Sequence, residues 1–179
     1  MVCTRRPAAA ATVQPLMAAL QEGLPLLDPA PPVLVHGDLK PEHCFWNGQH
    51  VTLIDLDSFC YTDPAYDADR FLAMLHRQCL HHPALMPRVR QMLATFHTAF
   101  LSAVPTVSMR NVSFYYALQY AREICRDLCS VQVPADWPRV IASYARYARS
   151  ALQTDVWPDG EQRSSTPHFA RISAAPAAS

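Results

Sequence analysis

Eight consecutive residues, His36-Gly37-Asp38-Leu39-Lys40-Pro41-Glu42-His43, are followed after a short turn signal by Ile54-Asp55-Leu56-Asp57. Phosphoryl transfer asks little covalent chemistry of a protein: it needs a carboxylate to orient the acceptor hydroxyl and further carboxylates to hold magnesium. Both parts are present within twenty residues, from Asp38 to Asp57.

The charge around this pairing is lopsided. From Asp38 to Asp69 the acids are Asp38, Glu42, Asp55, Asp57, Asp63, Asp67 and Asp69, against the one base Lys40, although the whole chain is formally neutral. If Asp55 and Asp57 lie two apart on one strand, their carboxylates share a face at roughly 7 Å and repel by about 2 kcal/mol at an effective dielectric of about 20. A cation offsets that cost, and Mg2+, a hard ion that takes carboxylate and phosphate oxygens, suits the donors. The alternative is that Asp57 faces water.

These residues need elements to hold them. Val33-Leu34-Val35 reads as a short apolar strand leading into the motif, and the motif itself as a loop, because Gly37 and Pro41 disfavour a regular helix. Cys44-Phe45-Trp46, Asn47-Gly48 and the run Gln49 to Leu56 carry a hairpin signal. Before the motif, Leu16, Met17, Leu20 and Leu24 set a helical period over Val13 to Leu27. After Asp63-Pro64 four helices are expected, over Tyr66 to Leu80, Leu85 to Ala103, Ser108 to Ser130 and Trp137 to Leu152, with Pro83, Pro105 and Pro134 marking the breaks. Trp137, Tyr144 and Tyr147, at helical spacing, read as core.

Composition sets the outer limits. With 179 residues, half of them hydrophobic, the chain can bury a core of one domain over residues 13–153, flanked by a flexible leader at 1–12 and a disordered tail, rich in Ser, Pro and Ala, at 154–179. The neutral balance argues against a nucleic-acid partner and a basic membrane patch, and no stretch approaches the roughly 18 apolar residues of a membrane span. Arg5-Arg6 lacks the apolar core of an export signal, and the six cysteines form no paired CxxC modules. A cytoplasmic protein with buried free thiols is the expectation. His81-His82 reads as a surface turn, and Lys40 is the only lysine.

His36-Gly37-Asp38 with Lys40 and His43, then Asp55 and Asp57, then Asp63-Pro64-Ala65-Tyr66-Asp67, resemble the catalytic and metal-binding segments of the aminoglycoside phosphotransferase and choline kinase-like family of small-molecule kinases. The likeness is dense from His36 to about Leu75. It implies a fold that is mainly α with a small β-hairpin, the C-terminal lobe of a protein kinase-like architecture. It also implies transfer from ATP, with Mg2+, to a hydroxyl of a small molecule. In that scheme Asp38 is the catalytic base that orients the acceptor, and Asp55 binds the metal with Asp57 beside it. Asp67 and His36 brace the catalytic loop. Lys40 is either near the transferred phosphate or a solvated lysine. His43 stands where the family has asparagine, so a softer imidazole replaces an oxygen ligand; it ligates directly, or through a bound water, or not at all.

The family's N-terminal lobe, with a glycine-bearing loop and a second lysine for the nucleotide phosphates, has no counterpart among the residues before His36. The chain therefore resembles a C-terminal lobe alone: a gene fragment, a half completed by an upstream segment or separate chain, or a remnant. Eight arginines against Glu123, Asp127 and Asp136 between residues 84 and 153 favour a neutral or anionic acceptor over a polycationic one. Two other functions compete. One is a non-catalytic pseudokinase-type binding module; the other is a metallohydrolase using His36, Asp38, Asp55 and Asp57 as ligands.

Overall fold

Helical periodicity and proline punctuation shape most of the chain. In the computed structural model, which describes residues 7–130 and 135–154, helices α1 (Ala10–Gly23), α2 (Ala65–His81), α3 (Met86–Ala103), α4 (Met109–Cys129) and α5 (Trp137–Thr154) account for most residues. Each of the last four begins or ends within two residues of its expected bounds. Helix α1 starts earlier than expected: Ala8 to Ala11 are strong helix formers, and Ala9 and Val13 are buried in the core, so residues 7–12 are structured and not a loose leader. The tail expected from residue 154 onward lies outside the described residues apart from Thr154, which ends α5.

Helix α4 is the central element. It packs against α5, α2 and α1, while α2 also meets α3. Leu16 and Leu20 of α1, Leu72 and Leu75 of α2, Tyr120, Ile124 and Leu128 of α4, and Ile141 and Tyr144 of α5 share one apolar core. Trp137 and Tyr147 pack at its edge.

Two small antiparallel sheets appear among the described residues where one hairpin was expected. Strands β2 (Cys44–Trp46) and β3 (Val51–Leu53) pair as Cys44 with Leu53 and Trp46 with Val51. Asn47 turns this hairpin, its side-chain oxygen accepting from the amides of Gln49 and His50 at 3.0 and 2.8 Å. The other sheet pairs β1 (Val33–Val35) with β4 (Cys60–Thr62), a strand with no turn signal of its own. No helix among the described residues is long and apolar enough to cross a membrane. Of the described cysteines only Cys79 is buried; Cys44 and Cys125 are half-buried, and Cys60 and Cys129 are exposed.

Candidate active site and metal centre

Strand β1 delivers the chain to the loop at His36–Asp38, and the first turn of α2 receives it. Asp67 accepts the backbone N–H of His36 at 2.5 Å with one carboxylate oxygen and that of Gly37 at 2.9 Å with the other. His36 is buried and donates through Nε2 to the carbonyl of Ile54 at 2.8 Å, tying the loop to the segment after β3. Gly37 has φ of 81°, and a Cβ there would lie 2.0 Å from the carbonyl oxygen of Ser58. The loop and the turn at Leu56–Ser58 therefore approach as closely as only glycine permits.

Asp38 is gripped from both sides. Lys40 Nζ lies 2.9 Å from Oδ2, and Arg70 Nε donates to Oδ1 at 2.8 Å. Burial pushes the Asp38 carboxyl up, but the bond from Lys40 and the charge of Arg70 outweigh it and hold the group below its ordinary value. Lys40 is thus neither wholly solvated nor independent of Asp38.

Arg70 extends the connection into α4. Its Nη1 donates to Glu123 Oε1 at 2.7 Å, and the other oxygen of Glu123 meets Arg77 at 3.1 Å and Arg126 at 2.5 Å. Glu123 is only 2% exposed, so these three guanidinium groups are what compensate its buried charge. Asn111 and Gln119 of the same helix also reach back to the site-bearing segment, Asn111 to Asp63 at 2.6 Å and Gln119 to the carbonyl of Tyr66 at 3.3 Å. Asp63 in turn accepts the N–H of Ala65 at 2.8 Å, starting α2 one turn before Arg70.

The expected strand face carrying Asp55 and Asp57 does not form. Strand β3 ends at Leu53, and Asp55 adopts a left-handed conformation, φ 64° and ψ 57°, that turns the chain into a short 3-10 segment at Leu56–Ser58. Aspartate tolerates this region better than most residues, and the reversal removes the alternation that would have aligned the two carboxylates. Asp55 instead faces His43, whose Nε2 lies 3.1 Å from Asp55 Oδ2. Among the described residues, Asp38, His43 and Asp55 form a group whose ligand-type atoms all lie within 4.8 Å of one another; Asp57 and His36 are not part of it. The four-ligand set of a metallohydrolase, His36, Asp38, Asp55 and Asp57, is therefore not assembled.

Arg70, Glu123 and Asn111 escape a reading by motif. Arg70 follows Asp67 by three residues on one helix, which is the signal that places it beside the same loop. The surplus of arginines beyond residue 84 is smaller in effect than its count, because Arg110 pairs with Asp28, Arg126 with Glu123 and Asp127, and Arg139 with Asp136. Arg122 differs: its hydrogen bonds go to the neutral Tyr66 hydroxyl and Gln119 oxygen.

The sequence model described as the phosphotransferase enzyme family matches residues 3–100. That span includes the loop at His36–Asp38, the His43–Asp55 pair, Asp67 and Arg70, and it stops before α4 with Glu123. No curated protein and no solved structure gives a match.

Proposed function

The chain belongs to the phosphotransferase enzyme family, and from that membership we propose that it is the catalytic and metal-binding half of a kinase that phosphorylates a hydroxyl of a small molecule with ATP and Mg2+. The setting of Asp38 carries the proposal: an ionised carboxylate, held by Lys40 and Arg70, in a loop fixed by Asp67 and beside the His43–Asp55 donors.

A carboxylate offers about four acceptor positions, so Asp38 keeps lone pairs for an acceptor hydroxyl while bonded to both cations. Accepting that hydrogen bond orients the hydroxyl oxygen for attack, which is most of what this reaction asks of a base. Lys40 lies where it could exchange its bond to Asp38 for one to a transferred phosphate. Asp55, at the exposed mouth of the group, and His43 behind it fit a divalent ion by the chemistry of their donor set. Mg2+ with ATP supplies the phosphoryl group and neutralises its charge. Arg122, with neutral partners, leaves a positive charge near the first turn of α2 and favours a neutral or anionic acceptor.

The nucleotide also needs a covering lobe with a second lysine, from an upstream segment or a separate chain. Phe45, Trp46, Val51 and Tyr61 stand out from the small sheets, with Trp46 65% and Tyr61 73% exposed, and such a lobe would cover them. The same exposed apolar side chains favour a second reading, a non-catalytic pseudokinase-type module that docks a partner through them.

Transfer from labelled ATP to small alcohols, assayed with the chain and a strand-bearing lobe encoded upstream or separately, is expected to require Mg2+ and to be lost in Asp38→Asn. Undiminished transfer in that variant overturns the assignment of the base. Absence of Mg2+-dependent ATP binding, alone and with the lobe, leaves the binding module.

A further inference from the structure

His43 and Asp55 reach one point from two different elements. His43 closes the short 3-10 segment at Pro41–His43, and its side chain is more than nine-tenths buried; Asp55 sits on its left-handed turn, half exposed. Their facing atoms, Nε2 and Oδ2, are 3.1 Å apart. The third member of the group, Asp38, already has each oxygen bonded to a cation, Lys40 on one and Arg70 on the other. With the remaining lone pairs of Asp38 given to the acceptor hydroxyl, the donors left to face an incoming metal ion are one imidazole nitrogen and one carboxylate.

We propose that His43 Nε2 and Asp55 form a mixed nitrogen and oxygen site that takes Mn2+ in preference to Mg2+ and holds it exchangeably. Mg2+ is a hard ion that keeps oxygen ligands and several waters, so an imidazole contributes little to its binding. Imidazole ligation raises affinity for first-row transition ions, of which Mn2+ retains the octahedral, oxygen-rich coordination that a carboxylate and phosphate oxygens complete. To ligate through Nε2 the neutral ring must carry its proton on Nδ1, and Nδ1 is buried with no hydrogen-bond partner among the described residues. Ligating histidines ordinarily donate that proton to an acceptor that orients the ring and strengthens it as a ligand. Without one, binding is weak enough for the ion to enter and leave with nucleotide, while the preference for Mn2+ persists.

The inference rests on the phosphotransferase reading only for the presence of a divalent ion at this site. Its test uses the full chain, Mn2+ alone as the probe, and electron paramagnetic resonance. Mn2+ is expected to bind with directly coordinated 14N modulation in the echo envelope, and its half-displacement to need at least about tenfold more Mg2+ than Mn2+. His43→Asn, checked for folding by circular dichroism, is expected to lose both the modulation and the preference. Asp55→Asn, at a half-exposed position that spares the core, is expected to weaken Mn2+ binding.

Mn2+ bound without nitrogen modulation, or modulation that survives His43→Asn, overturns the ligation by His43. Unchanged binding in Asp55→Asn, or no Mn2+ binding at all, overturns the site. Absence of the modulation in the unaltered chain, with phosphoryl transfer intact, defeats this inference and spares the kinase reading; nitrogen-ligated Mn2+ in a chain that transfers no phosphate under any pairing does the reverse.

Discussion

Arg70 holds Asp38: its Nε donates to Asp38 Oδ1 at 2.8 Å while its Nη1 donates to Glu123 at 2.7 Å. One planar guanidinium thus ties the loop at His36–Asp38 to the central helix, with Arg70 and Glu123 both buried. A fork of fixed donors suits this double role in a way that a lysine does not. Burial works against the charge on Arg70, but Glu123 and Asp38 overcome it and raise its pKa further.

Removing either end of that link is expected to be costly. Glu123→Ala leaves Arg70 buried with one carboxylate, and Arg70→Met leaves Glu123 with only the two partly exposed arginines. Each is expected to lose about 3 kcal/mol in urea denaturation. The double variant is expected to lose clearly less than the sum, because the two residues share one interaction. Additive losses would show that Arg70 and Glu123 act independently.

Much of the helical framework is legible in the sequence, because prolines at 83 and 105 interrupt apolar periods that the folded helices follow. The strand at Val33–Val35 is legible for the same kind of reason, a short apolar run before a glycine-bearing loop. Its partner, Cys60–Thr62, is not, since nothing local marks a three-residue strand whose pairing is non-local. The left-handed turn at Asp55 is hidden too: the alternating Ile54-Asp55-Leu56-Asp57 pattern imitates a strand, and only the close approach of Gly37 to Ser58 shows why the chain must turn there. Glu123 lies 53 residues beyond Arg70, so no spacing rule connects them.

The two left-handed glycines separate strain from collision. Gly37→Ala must place a Cβ 2.0 Å from a backbone oxygen that cannot move without displacing the Leu56–Ser58 turn. Gly48, with φ of 99°, has open space around the same position. Gly48→Ala is expected to lose only about 1–2 kcal/mol from backbone strain, and Gly37→Ala about 3 kcal/mol or more, since the clash adds to the strain. Thermal denaturation of the two variants side by side checks the difference.

Asp67 satisfies two backbone donors with its two oxygens, so its replacement should be felt at those amides. In Asp67→Asn one oxygen becomes an NH2 group that faces an N–H, and one bond is lost. A loss of about 2 kcal/mol at the loop corresponds to roughly thirtyfold faster hydrogen exchange at the His36 and Gly37 amides. Exchange at those amides that matches the wild-type chain would show that other contacts hold the loop.

Asp69 faces the opposite situation from Asp38. It is fully buried, neither oxygen has a hydrogen-bond partner among the described residues, and burial, with the nearby charge of Asp63, raises its pKa well above the ordinary carboxyl value. The folded state therefore keeps this proton at a pH where the unfolded chain, with a carboxyl near 3.9, has released it. Below the unfolded pKa the group costs nothing through ionisation. As pH rises above about 4 the unfolded state is favoured by up to about 1.4 kcal/mol per pH unit, until the folded pKa is reached. Asp69→Asn removes that ionisation while keeping the shape. Relative to the wild-type chain it is expected to gain stability progressively in urea denaturation as pH rises above about 4, levelling off once the folded pKa is passed, and a difference that does not change with pH would mean that Asp69 is ionised in the fold.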